Sequence, residues 1–179
     1  MKYLSTVQKS ELSKRFDISV ALIDTILDIE SSGSGFDAKT GLIKIQFEPY
    51  WFQKFSGIRM ANGVETQAKE YEAYQKAFTI DSLSAMKSTS WGLGQVMGFN
   101  HKLAGYISVS KMVDDFKESE QAQLNGMLNF IKSQPKMYKA LKDHDWNTFA
   151  SLYNGKNYKQ FAYDTKLAKA YSRHSNLLA

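Results

Sequence analysis

The chain of 179 residues has no cysteine and only two prolines. Without cysteine there is no disulfide scaffold, no thiolate zinc site and no cysteine nucleophile. Its three histidines, His101, His144 and His174, stand at unrelated spacings and form no His-Glu-x-x-His pattern, so no metal site is expected. Gly92-Leu93-Gly94 lacks the third glycine and the preceding strand of a dinucleotide loop, and no cofactor is expected. Basic residues are scattered among acids, with no basic helix or aromatic-basic strand, which argues against a nucleic-acid partner. No apolar run approaches the roughly 18 residues that span a bilayer, so no stable membrane association is expected. Met1-Lys2-Tyr3-Leu4-Ser5 opens no apolar signal segment.

What is present describes a folded domain. Hydrophobic residues make up 43% of the chain and charged residues 23%, a balance that favours a packed core over disorder. The length suits one domain, and no linker, repeat or low-complexity tract divides it, so residues 1–179 are read as a single, monomeric domain. Lys and Arg number 23 against 18 Asp and Glu, a net charge of +5, which points to an anionic partner without saying which.

The pattern is mostly helical. Ser19 caps a helix over Val20–Glu30 that is apolar nearly all round and therefore buried. It stops at Ser31-Ser32-Gly33-Ser34-Gly35. Leu42–Glu48 alternates as a strand, with Ile43, Ile45 and Phe47 on one face and Lys44, Gln46 and Glu48 on the other. Thr40-Gly41 reads as the turn of a short hairpin. Pro49 begins a helix carrying Tyr50, Trp51, Phe52 and Phe55. Further helices are expected over Glu65–Phe78, from an Asp81 cap to Lys87, over a glycine-punctuated Ser90–Met97, and over Ser119–Lys132 up to the break at Pro135. Two more follow, over Trp146–Leu152 with Asp145 as cap, and from Asn157 to near Arg173. This is a mainly α domain with one small β element near its N-terminal third.

Four places could carry chemistry. Glu30 ends an apolar helix, where desolvation and the negative end of the helix dipole both favour a protonated carboxyl group. Such a group can protonate a glycosidic oxygen; the alternative is a frayed helix end pointing to water. Gln46 and Glu48 lie on the polar strand face, where Glu48 or Asp37 could be the second carboxylate of a glycosidase pair. Equally, Glu48 could simply cap the Pro49 helix. In Ser90–Gly98, Gln95 offers a donor and an acceptor to a sugar and Trp91 a stacking face, unless Trp91 and Met97 are core residues. Tyr153-Asn154-Gly155 alone is an ordinary turn signal.

Taken in order, these pieces resemble a known family. Glu30–Phe36, Ile45–Phe52, Ser90–Gly98 with Ala104-Gly105-Tyr106, and Trp146–Gly155 with Tyr158 and Tyr163 are similar to the motifs of the N-acetylmuramidase domain of phage endolysins. That family is related to goose-type lysozyme and soluble lytic transglycosylases, and the likeness covers about residues 10 to 172. It implies a mainly α, lysozyme-like single domain with one small β-hairpin. It implies cleavage of the β-1,4 bond between N-acetylmuramic acid and N-acetylglucosamine in bacterial peptidoglycan. Glu30 falls on the catalytic acid, and Glu48, Gln95, Tyr153 and Asn154 fall around the cleft; the residue pattern itself offers Trp91 and Gln46 as further sugar contacts. A lytic transglycosylase using the same Glu is the nearest alternative, and a non-catalytic peptidoglycan-binding protein a more distant one. No separate wall-binding module is visible. The resemblance implies a protein that gathers in the host cytoplasm and meets the wall once the membrane is permeabilised.

Overall fold

A computed structural model of the chain describes residues 2–30, 33–61 and 66–176, with the backbone alone for Glu30. Among these residues there are ten α-helices and a small three-stranded antiparallel sheet, which is the mainly α class expected. The chain forms two compact units, residues 1–3 with 34–130 and residues 4–33 with 131–179.

The second unit is all helical. Helix α1 (Thr6–Phe16) starts at a reciprocal capping box between Ser5 and Gln8. Helix α2 (Val20–Glu30) starts where the Ser19 hydroxyl accepts the Leu22 N–H at 3.2 Å, as the sequence predicts. Ala21, Leu22, Ile23, Ile26 and Leu27 of α2 are all buried, so this helix is the core of its unit. Helices α8 (Pro135–Lys142), α9 (Trp146–Tyr153) and α10 (Tyr163–Asn176) complete the unit. α10 packs along α2 and ties to it where Arg173 and His174 each reach Asp28 at 2.7 Å.

The first unit is built on the sheet. Strand β1 (Ile45–Phe47) keeps the expected alternation, with Ile45 and Phe47 buried and Gln46 exposed. It pairs antiparallel with β2 (Thr89–Trp91), which pairs antiparallel with β3 (Val96–Met97), so the order is β1-β2-β3. Helices α3 (Pro49–Ser56), α4 (Gln67–Ile80), α5 (Ser82–Lys87) and α6 (Val109–Glu118) belong here, with α7 (Glu120–Lys132) up to Phe130. The Asp81 side chain caps α5 by accepting the Ser84 N–H at 2.9 Å.

An outer strand leaves a row of unpaired backbone groups, and a structure must cover or blunt them. Here α4 covers them with side chains. Gln67 accepts the Ile45 N–H at 2.9 Å and donates to the Ile45 carbonyl at 2.8 Å. Glu70 accepts the Phe47 N–H at 2.8 Å, and the Tyr71 hydroxyl donates to the Ile43 carbonyl at 2.6 Å. Positions i, i+3 and i+4 share one helix face, so a single face of α4 serves the whole edge.

The structure corrects some expectations. Ser90–Met97 is not a helix but a hairpin, β2 turning into β3. Gly92 has φ +66° and Gln95 φ +45°, values no α-helix contains. The glycines serve close packing. A Cβ at Gly92 would lie 2.5 Å from Oε1 of Gln123, the atom that accepts the Leu93 N–H at 2.8 Å. The expected turn before β1 is present, closed by Asp37 N–H to the Leu42 carbonyl, but β1 finds its sheet partner in β2. Pro135 does not only end a helix; it begins α8. Residues 158–161 form a 3₁₀ turn, and α10 starts at Tyr163, not at an Asn157 cap. The expected helix start at Glu65 lies outside the described residues, and α4 is capped by Thr66.

Removing the acceptor on α4 leaves a buried N–H unpaired, which costs about 1–3 kcal/mol. Glu70→Ala is therefore expected to lose about that much stability in urea unfolding, while Glu70→Gln, which keeps an acceptor for Phe47, loses less.

Candidate active site

Glu48 stands where β1 ends and α3 begins. Its backbone is the N-cap of α3, with its carbonyl accepting the Phe52 N–H at 3.0 Å, yet its side chain makes no capping hydrogen bond. The bland role suggested by its position is therefore not taken, and the carboxylate is left for other partners. Gln46, two residues back on the same strand face, donates to Oε1 of Glu48 at 2.9 Å. Burial lifts the pKa of Glu48 above the ordinary carboxylate value, the nearby Glu70 charge adds to this, and the Gln46 hydrogen bond opposes it.

Asp37, the rival carboxylate, has the opposite character. Its Oδ1 accepts the Thr40 N–H and hydroxyl at 2.9 Å each and the Lys39 N–H at 3.2 Å. The Thr40 bonds lead in holding its pKa below the ordinary value. Asp37 organises a turn and stays ionised, whereas Glu48 has the environment of a group that exchanges protons.

Gln95 lies in the β2–β3 turn and is partly exposed. Its Oε1 accepts the Ser90 hydroxyl at 2.9 Å and its Nε2 donates to the Gly92 carbonyl at 2.8 Å. An amide has two N–H groups and two lone pairs, so one of each remains for a ligand. Trp91 does not fit its expected role. It is 0% exposed, its ring meets Tyr74 edge-on at 5.3 Å, and its indole N–H donates to the Met86 carbonyl at 3.1 Å. It is a core residue with no face for a sugar.

Gln46, Glu48 and Gln95 thus belong to the first unit, on β1, at its end and beside β2. Glu30, Tyr153 and Asn154 belong to the second. Glu30 is the last residue of α2, after fully buried Ile23 and Ile26; its side chain, with Ser31 and Ser32, lies outside the described residues. Tyr153 ends α9 with its ring stacked on Phe149 at 5.5 Å. Asn154 caps that helix through its N–H to the Ala150 carbonyl at 2.8 Å, and Gly155 follows at φ +83°.

Three buried polar residues escaped the sequence reading. Glu70 is 5% exposed, and its charge adds to the effect of burial on Glu48. Its signal was available, since Glu70, Ala73, Tyr74 and Ala77 share the buried face of α4. Gln123 accepts from Leu93 and donates to the Phe116 carbonyl at 2.7 Å. Glu120 accepts the Gly35 N–H and the Ser34 hydroxyl at 2.9 Å each. Among the described residues no cluster of His, Asp and Glu could hold a metal ion, and no helix is long and apolar enough to cross a membrane.

Comparison with known proteins adds family information. The model of the family described as Muramidase, N-acetylmuramidase, matches residues 19–175. A crystal structure of Burkholderia AP3 phage endolysin is similar over 99% of this chain and 73% of that one, with 30% sequence identity and a TM-score of 0.90. A search of curated proteins finds no match.

The raised pKa of Glu48 carries a pH dependence with a definite sign. The folded chain holds this proton to higher pH than the unfolded chain does. Between the two pKa values the folded state binds more protons, so stability falls as pH rises through that window. Glu48→Gln has no charge to bury. It is expected to melt above the wild type at neutral pH, with the difference closing below about pH 4; a series of melting curves checks this.

Proposed function

The chain belongs to the N-acetylmuramidase family, and from that premise we propose that it degrades bacterial peptidoglycan as an endolysin, with Glu30 as general acid. The bond cut is the β-1,4 link between N-acetylmuramic acid and N-acetylglucosamine. The observation that carries this reading is the family match over residues 19–175, which takes in Glu30 at the end of the buried helix α2. A carboxyl group at that terminus meets the negative end of the helix dipole, which favours the protonated form that a general acid needs.

Glu48 is the proposed second carboxylate. Its raised pKa and its freedom from capping support a role in taking a proton from water or steadying the developing charge. A retaining pair stands about 5–5.5 Å apart and an inverting pair roughly 6.5–9.5 Å. Gln95, Gln46, Tyr153 and Asn154 are proposed to orient the sugars. Residues 1–179 are proposed to be a single catalytic domain that works as a monomer. The net charge of +5 would draw it to the anionic wall, reached from the host cytoplasm once another protein opens the membrane.

Glu30→Gln is expected to fold and to melt no lower than the wild type, and to lose about 10²–10⁴-fold in wall-clearing rate, the usual contribution of a general acid. Mass spectrometry of wild-type digests is expected to show reducing N-acetylmuramic acid ends. Fragments lacking one water would identify a transglycosylase using the same Glu30. Because exposed charges are screened within about 8 Å at physiological salt, the clearing rate on isolated sacculi is expected to fall as ionic strength rises. A rate flat in salt would remove the wall-attraction role of the charge.

A further inference from the structure

The second unit has an open groove of about 330 Å³ that the proposed catalytic residues do not use. It is lined by His144, Asp145, Trp146, Asn147, Asp164 and Thr165, where the α8–α9 turn meets the start of α10. Its size is at the small end of ligand pockets.

One wall is aromatic. The His144 and Trp146 rings lie nearly parallel, 13° apart with centroids 5.5 Å distant. Tyr171 of α10 packs 4.1 Å from the first and 5.5 Å from the second, which fixes both rings. The turn that presents them is unusual. His144 sits at φ +58°, and Asp145 (φ −78°, ψ 78°) bends the chain so that the Trp146 N–H reaches the His144 carbonyl at 2.9 Å.

The other wall is polar, and its groups are only partly used. Asp145 accepts the Thr148 N–H at 3.1 Å through Oδ1, and the Thr148 side chain hydrogen-bonds its carboxylate as well, so it brings negative charge to the rim. Asn147 accepts the Tyr158 hydroxyl through Oδ1 at 3.3 Å, which leaves its N–H groups to donate. Asp164 and the Thr165 hydroxyl stand in the first turn of α10, and no cation pairs with Asp164 among the described residues.

An aromatic cluster that lines a groove together with carboxylates, an amide donor and a hydroxyl is the chemistry that holds a pyranose. The C–H face of the ring packs on the aromatics, hydroxyls donate to carboxylates, and an N-acetyl carbonyl accepts from an amide. Two carboxylates also repel a ligand that carries its own. We propose that this groove is a second saccharide site, one that takes an N-acetylglucosamine unit of the glycan strand and rejects the lactyl carboxylate of N-acetylmuramic acid. It rests on the reading of the chain as a peptidoglycan enzyme. It is distinct from the proposed cleavage site because Trp146 begins the eight-residue α9, whose other end carries Tyr153 and Asn154, about 10 Å away along the helix axis. A second hold on the polymer keeps the enzyme on an insoluble strand between cuts.

The test is titration of the intact, ¹⁵N-labelled protein with chitotriose, read at the tryptophan indole N–H signals. The Trp146 signal is expected to shift and saturate, while the buried Trp91 indole stays still as an internal control. Asp164→Ala and Asn147→Ala are each expected to weaken this response about ten-fold, since a hydrogen bond to a charged or amide group is worth about that much. Muramyl dipeptide, which carries the lactyl group and further carboxylates, is expected to leave Trp146 unmoved. A silent Trp146 at millimolar chitotriose, or unchanged binding in both variants, overturns the site. Binding there does not require cleavage. A responding Trp146 with no muramic ends released would leave the groove standing and remove the muramidase reading; the reverse pair of results would do the opposite.

Discussion

The first unit depends on how its outermost strand is finished. β1 has only three residues, too few to hold its place through one ladder of hydrogen bonds with β2. Its free edge would otherwise be open to water or to another strand. Gln67, Glu70 and Tyr71 meet that edge as a fourth strand would, with side chains in place of backbone. A Gln amide carries the same donor and acceptor as a peptide group, so Gln67 copies the pairing of a neighbouring residue. The arrangement also places a buried carboxylate beside the strand that leads into Glu48. The same residue that completes the fold therefore biases the protonation of a residue in the proposed chemistry.

Buried polar side chains fix the loops of this unit where apolar packing alone would leave them free. Gln123 is fully buried and bridges two backbone groups, the Leu93 N–H and the Phe116 carbonyl. Glu120 does the same for the segment after Gly33, accepting from Ser34 and Gly35. Both stand in the first turn and a half of α7, so one helix end holds two loops. The glycines at 35 and 92 make room for Gln123: a Cβ at Gly35 would overlap its Oε1 at 1.8 Å, and one at Gly92 would crowd it. Such a latch is directional in a way a leucine contact is not. It sets the β2–β3 turn in one conformation, which in turn sets Gln95 at its left-handed backbone angle.

Much of this was legible in the residue order, for physical reasons that also mark where legibility ended. The core helix α2, the alternation of β1 and the caps at Ser19, Asp81 and Asp145 are local signals, and each holds. Helix α6 carries an equally plain one, Ser108 followed by Val109, Met112, Val113 and Phe116 at helical spacing. The glycine-punctuated segment is ambiguous in sequence because glycine tolerates both a helix and a turn. The deciding partner, Gln123, lies thirty residues further on, where no local pattern can reach it. Trp91 shares that ambiguity. On a helix it could have faced outward; on a central strand paired on both sides it is enclosed. Glu48 stands out in the sequence through the polar strand face and the family likeness together. Its raised pKa comes first from burial and then from the Glu70 charge on α4, and local sequence encodes neither.

Charge acts on two scales in this chain, and the two need not agree. The excess of five positive charges is a property of the whole surface; it raises the encounter rate with an anionic polymer and fades within a Debye length. The groove at the start of α9 is locally negative, with Asp145 and Asp164 on its rim and an aromatic wall behind. A protein that was basic everywhere would hold the anionic parts of a wall polymer most tightly and gain nothing in register. A basic surface with an acidic saccharide groove separates the two tasks. Long-range attraction gathers the polymer, and short-range hydrogen bonds sort its neutral sugars from its charged ones. Glycan strands alternate those two sugars, so a groove that accepts only one of them sets the register in which a strand is held.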